Sequence, residues 1–243
     1  MSSSIHASAV IGDGVELGQD VTIGPGAVVL GPARIGDRVW IGALSVIGAP
    51  PEISSLRQNR AWAGELEHAG VVIEPDSVIR EHVNVHQGSH RATTVGAASW
   101  LLNRSYIAHD VVLGEGVTLS AGVSVGGHCS IGAGANIGMN AAVHQRRLVG
   151  PGAMIGMGTP LSRDVPPFAM VFGAPPRLRR LNAHALGRRG ISADAVSALA
   201  DAYRQGDLEL ARVDGLGELA AEIDWWSAHA DRRPVAVDME GPR

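Results

Sequence analysis

The sequence predicts a parallel β-helix, a triangular prism wound from six-residue repeats, followed by a helical segment. Three observations carry this reading. An aliphatic residue recurs at every sixth position over most of the first 161 residues. The chain is rich in glycine (32 of 243) and holds only two Phe and two Tyr, too little aromatic volume for an ordinary sandwich or doubly wound core. From Pro175 the six-residue period gives way to apolar positions three and four apart, the helical spacing.

The repeat falls into three runs. Ile5, Ile11, Leu17, Ile23, Val29, Ile35, Ile41 and Ile47 form the first. Ile73, Ile79 and Val85 form a short second, and the unbroken series from Val95 and Leu101 to Ile155 and Leu161 forms the third. Glycine often follows the anchor, as at Gly114, Gly126, Gly132 and Gly138, and small residues or Val recur four places on, as at Ser105, Val117 and Ala135. Three such strands and turns close a coil of about 18 residues, with coils stacked about 4.8 Å apart and the anchors filling a thin aliphatic column. Two interruptions, Ala49–Val72 and Gln87–Thr94, read as excursions. The prism is expected over residues 1–173, with excursions near 49–72 and 87–94, and a helical region over 174–243. Within that region Ser192 reads as a helix start, with Gly190 a stop before it; Trp225 and Trp226 read as packing anchors, and the tail after Arg233 as loose.

Composition excludes several functions. Twenty basic against 24 acidic residues leave no electrostatic case for nucleic acid. Every basic residue is Arg, so lysine Schiff-base chemistry is absent. The single cysteine, Cys129, excludes an internal disulfide and a cysteine-built zinc site, and no metal is expected. The N-terminal MSSSIHAS lacks signal-peptide character. The uncharged stretch Gly116–Gln145 is too polar to span a bilayer, so a cytoplasmic location is expected.

Spacing also locates a site. His109 and His128 are 19 residues apart, one coil plus one residue; His109 and His144 are 35 apart, two coils less one. All three fall near one edge of the prism in successive coils. His86 joins them if Gln87–Thr94 holds a four-residue insertion.

The order of several short words carries a resemblance. Ile79-Arg80-Glu81-His82-Val83-Asn84-Val85-His86-Gln87-Gly88, Ile107-Ala108-His109-Asp110, Gly127-His128, Ala142-Val143-His144-Gln145, Asp164-Val165-Pro166-Pro167 and Arg188-Arg189-Gly190 follow one another in this order. Together they resemble the hexapeptide-repeat acyltransferases, and most closely the acyl-carrier-protein-dependent UDP-N-acetylglucosamine O-acyltransferases that begin lipid A biosynthesis, over roughly Ile5 to Tyr203. The resemblance implies an all-β, left-handed parallel β-helix with a C-terminal α-helical segment.

It also implies transfer of a fatty acyl group from acyl-carrier protein, a phosphopantetheine thioester, to a UDP-amino-sugar. His109 would be the general base, Asp110 its orienting carboxylate, and the Gly127 N–H the oxyanion donor. His86, Gln58, Asn59, Tyr106, His128, His144, Gln145, Asn182, Arg188 and Arg189 match substrate-contacting positions, the two arginines suited to phosphates. Arg177, Arg179 and Arg180 would attract an acidic carrier protein. Met157 falls at the family's acyl-chain ruler, and a homotrimer with shared sites is expected.

Departures from the family pattern bear on the acceptor: Tyr106 stands where a histidine is usual, Asn59 replaces an aspartate, and His184 a glutamate. An acyl-CoA-dependent sugar N-acyltransferase is therefore a competing reading. A γ-type carbonic anhydrase is disfavoured, because Arg104 and Gly114 stand five residues either side of His109 where its histidine pair would need a partner. A non-enzymatic trimeric scaffold is disfavoured by the retained His109-Asp110 and Gly127.

Overall fold

The computed structural model describes residues 3–55, 68–229 and 231–239. The repeats build a left-handed parallel β-helix whose short strands stack into three sheets. Where coils are regular the partners are 18 residues apart, as in Thr118↔Asn136, Ser124↔Ala142 and Ser130↔Leu148. Across the first excursion the spacing becomes 38, as in Val46↔Asn84, and across the second it becomes 22, as in Asn84↔Tyr106. The second excursion is thus a four-residue insertion, which brings His86 to the expected edge.

The anchor column is the core. Every anchor from Val95 to Leu161 is at most 3% exposed, and the small residues four places on, among them Ser105, Val117 and Ala135, are buried as well. Ile5 and Ile11, in the first coil, are 44% and 36% exposed because only one neighbouring coil packs on them. Glycine follows the anchors because successive coils nearly touch there. A Cβ on Gly132 would sit 2.4 Å from the Pro151 nitrogen.

The C-terminal region caps the end of the prism. Arg177–Leu181, expected to be helical, is instead a strand pairing antiparallel with Ala169–Phe172. Its RLRRL sequence also fits a two-residue alternation, and the turn at Gly173 (φ 97°) returns the chain along the last prism strand, where Leu178 is fully buried. Helix α1 (Ala183–Arg188) follows, capped by Asn182. Helix α2 (Ala193–Arg204) starts at Ser192 as expected, with the Ser192 Oγ accepting from the Ala195 N–H, and Gly190 (φ 68°) precedes it. Helix α3 is Ala220–Ser227. Tyr203 is fully buried and donates to the Pro167 carbonyl at 2.6 Å; buried Trp226 donates to the Leu208 carbonyl. The first contact docks α2 on the end of its own chain's prism, and the second ties α3 to the segment that follows α2.

The tail expected to be loose is tied down over its described part. Ala236–Val237 pairs with Arg177–Leu178, Val235 is buried, and the Asp164 carboxylate accepts the Arg233 N–H. Burying Val235 and filling the edge of the added strand offset the entropy of ordering the segment. No helix among the described residues is long and apolar enough to cross a membrane.

Candidate active site

Val85, Ile107, Val125 and Val143 stack in one sheet. The chain turns just beyond each, so His86, His109-Asp110, Gly127-His128 and His144-Gln145 gather along a single edge. Asp110 and His128 occupy the left-handed region (φ 62° and 60°), a conformation that costs non-glycine residues of the order of 1 kcal/mol. Left-handed corners recur on every edge, taken by glycine at Gly116, Gly134 and Gly152 and by other residues at Asp76, Ala98 and Arg104.

His109 Nδ1 lies 2.7 Å from Asp110 Oδ2, with the imidazole 13% exposed and the carboxylate fully buried. Asp110 also accepts from the Ser89 N–H, the Ser89 hydroxyl at 2.7 Å, the His90 N–H at 2.8 Å and the Arg91 N–H at 2.9 Å. Burial alone would raise its pKa. The bonds from Arg91, Ser89, His109 and His90 outweigh it and hold the carboxyl far below the usual range. With the ionised Asp110 accepting at Nδ1, His109 carries its proton there and Nε2 is left as the basic nitrogen. His128 packs edge-on against His109 at 5.0 Å between centroids, its Nε2 3.8 Å from Asp110. Burial lowers the His128 pKa; Asp110 opposes that shift while Arg146 adds to it.

Gly127 lies directly against His109. A Cβ there would be 2.7 Å from both Cε1 and Nε2 of His109, and among the described residues its N–H has no hydrogen-bond partner. The His109 imidazole faces a groove of about 500 Å³ whose walls include Tyr106, Gly127, His144, Gln145 and Leu161. At its mouth the Tyr106 hydroxyl donates to Glu52 at 2.8 Å, and burial together with Glu52 pushes the phenol pKa up. Tyr106 packs edge-on against His86, whose Nδ1 lies 2.7 Å from the Pro50 carbonyl.

Gln58 and Asn59 fall outside the described residues, and Asn182, Arg188 and Arg189 do not line this groove within the same chain. Asn182 is committed to capping α1 and to a bond with the Gly152 carbonyl. Arg189 pairs with Glu222 and lies over the Phe168 ring, whereas Arg188 is exposed. Met157 is 77% exposed on a different edge from His109, so a single chain does not bring the two together. Ligand atoms of His109, Asp110 and His128 lie within 4.8 Å of one another, close enough for a metal ion. The Asp110 oxygens, however, are already filled by the donors above, which leaves no carboxylate position for a cation. Glu52 and the Ser89–Arg91 loop are absent from the sequence-derived site, since both reach the edge only through the excursions.

Residues 6–30 and 32–50 match the hexapeptide repeat of succinyl-transferase, and residues 164–211 match the family described as UDP-N-acetylglucosamine O-acyltransferase, domain 2. The fold and these matches define a hexapeptide-repeat acyltransferase. The chain is 40% identical over 204 residues to the acyl-[acyl-carrier-protein]–UDP-N-acetylglucosamine O-acyltransferase of Syntrophobacter fumaroxidans, covering 82% of this chain and 76% of that protein. It is 34% identical over 245 residues to the enzyme of that name from Stutzerimonas stutzeri, covering 90% and 92%. The solved UDP-N-acetylglucosamine acyltransferase of Campylobacter jejuni superposes with a TM-score of 0.75 at 27% identity, over 97% of this chain and all of that one. The chain belongs to the acyl-[acyl-carrier-protein]–UDP-N-acetylglucosamine O-acyltransferase family.

Proposed function

We propose that the protein transfers a fatty acyl group from acyl-carrier protein to a hydroxyl of a UDP-amino-sugar in the cytoplasm, working as a homotrimer. The observation that carries this is the His109–Asp110 pair beside the free N–H of Gly127, facing a groove large enough for a sugar and part of an acyl chain.

His109 Nε2 takes the proton of the acceptor hydroxyl as its oxygen attacks the thioester carbonyl. The buried anion of Asp110 stabilises the imidazolium that forms. Negative charge developing on the carbonyl oxygen is met by the Gly127 N–H, and the lack of a side chain there lets the thioester approach. Collapse of the tetrahedral intermediate breaks the C–S bond, and the imidazolium returns its proton to the departing phosphopantetheine sulfur. Atoms and charge balance, and the free base is regenerated. His144 and Gln145 offer hydrogen bonds along the groove, His128 stands behind it against His109, and exposed Arg188 suits a phosphate oxygen. Arg177, Arg179 and Arg180 provide a basic face for an acidic carrier protein.

The test is His109→Ala assayed with acyl-carrier-protein thioester and UDP-N-acetylglucosamine. Loss of a general base lowers turnover by roughly 10²–10⁴-fold while the fold persists, because the side chain lies outside the aliphatic column. Near-normal turnover in this variant overturns the reading, and a preference for acyl-CoA over the carrier-protein thioester in the unmodified enzyme replaces the proposed donor.

A further inference from the structure

We propose that the four-residue insertion after His86 is a positioning device for the catalytic pair, with Ser89 as its acting residue; this rests on His109 being the base. The corners at Gly127-His128 and Gln145-Arg146 on the same edge turn without added residues, since their strands keep the 18-residue register. The preceding corner on this edge carries the longer first excursion; the coil that meets Asp110 carries the four-residue insertion, and what it delivers is donors to one carboxylate. Three successive N–H groups, those of Ser89, His90 and Arg91, converge on Asp110 as an anion nest, and the Ser89 hydroxyl adds a fourth donor. The Arg91 side chain reaches the Asp110 carbonyl through Nε at 2.9 Å, and the Asp110 N–H donates to Thr93 Oγ1.

The nest is held at its base. Gly88 exchanges hydrogen bonds with the end of the first excursion, donating to the Gly70 carbonyl and accepting the Ala69 N–H, and the Thr93 N–H also donates to Gly70. Gly88 is required for the turn, because a Cβ there would lie 1.6 Å from the Arg91 carbonyl oxygen. The loop therefore has little freedom of its own, and the carboxylate it grips inherits that rigidity.

The division of labour between the two carboxylate oxygens singles out Ser89. Oδ1 takes the His90 and Arg91 N–H groups. Oδ2 takes His109 Nδ1 and the Ser89 hydroxyl, each at 2.7 Å. The hydroxyl thus fixes the direction of the one oxygen that orients the base, and draws off part of the charge that oxygen offers the imidazole. The Ser89 N–H, 3.1 Å from each oxygen, stays in place without it, so removing the hydroxyl loosens only the hold on Oδ2 and concentrates that oxygen on His109, which favours the imidazolium. The other ionisable and charged groups facing this cluster are His128, 3.8 Å from Oδ2, His90 stacked on His128, Arg91 and Arg146; none of them changes in the variant.

The experiment compares Ser89→Ala and Ser89→Thr in the full-length enzyme through pH profiles of kcat and kcat/KM. Ser89→Ala is expected to lose about five- to tenfold in kcat with acceptor KM little changed, the scale of one ordinary hydrogen bond, and to move the acid limb of kcat/KM to higher pH. Ser89→Thr, which keeps the hydroxyl, restores both. An unchanged profile in Ser89→Ala, or equal loss in the two variants, overturns the proposal. If the alanine variant does not fold, Ser89→Cys, a weaker donor of similar size, is judged by the same two criteria. Failure of this inference is distinguishable from failure of the base assignment, because only the latter leaves His109→Ala active.

Discussion

Replacing Gly127 by alanine isolates the geometry of the catalytic pair from the stability of the fold. The added methyl carbon would lie 2.7 Å from Cε1 and Nε2 of His109 and 3.3 Å from Nδ1. Ordinary van der Waals contact requires at least 3.4 Å, so the imidazole must retreat by roughly 0.7 Å. It is held at Nδ1 by the bond to Asp110, so the retreat pivots the ring and carries Nε2 out of line with the acceptor. A misplacement of about 1 Å in a reacting group costs on the order of 100-fold. Gly127 is not among the left-handed glycines, so alanine suits its backbone and the melting temperature should stay near that of the unmodified protein. The expected result is a kcat/KM lowered by about two orders of magnitude, measured with acyl-carrier-protein thioester and UDP-N-acetylglucosamine, together with an unchanged melt. A variant that keeps near-normal kcat/KM would refute the placement of Nε2 as the working nitrogen.

Asp110→Asn should destabilise the protein most at neutral pH. A carboxylate whose folded pKa is depressed contributes stability above its unfolded value of about 3.9 and loses it as pH falls toward the folded value, so the gap in melting temperature to the unmodified protein should narrow below about pH 4; a gap constant from pH 7 to pH 3 would contradict this. Glu52→Gln weakens the acceptor held by the Tyr106 hydroxyl, and acceptor KM should rise roughly three- to tenfold with kcat little changed; a fall in kcat alone would remove Glu52 from the acceptor side. Acyl chains near ten carbons should be preferred over fourteen, and Met157→Gly should lengthen the optimum, each excluded methylene costing ~0.8 kcal/mol, about fourfold in binding; an optimum that stays put in a chain-length series rules out the ruler. Because Met157 and His109 lie on different edges, that role needs a neighbouring subunit, and light scattering at micromolar concentration should return a trimer; a monomer would remove both the shared site and the ruler.

Much of the edge was legible because the coil length converts sequence distance into position. The 19- and 35-residue separations around His109 placed His128 and His144 in successive turns, and the 22-residue register placed His86 beside them through the inferred four-residue insertion. Legibility fell where the period ended. The segment Arg177–Leu181 satisfies both a helical and an alternating pattern, and the open edge of Ala169–Phe172 selected the strand. Asn182 matched a substrate-contacting position by its neighbours in sequence, and what the sequence did not show is that its amide also caps α1 and bonds Gly152, partners whose arrangement depends on how the helix meets the prism.

By itself the sequence determined the prism, its aliphatic column, the glycines where coils nearly touch, and the alignment of four histidines, because each follows from a local rule repeated at constant pitch. Tertiary structure alone decided how the His109–Asp110 pair is held. The donors that grip Asp110 are mostly backbone N–H groups from a loop about twenty residues away, which carry no side-chain signature, and Glu52 meets Tyr106 across 54 residues of sequence. A repeat fixes where side chains stand along an axis, whereas an excursion returns to that axis at a place set by its own length and contacts.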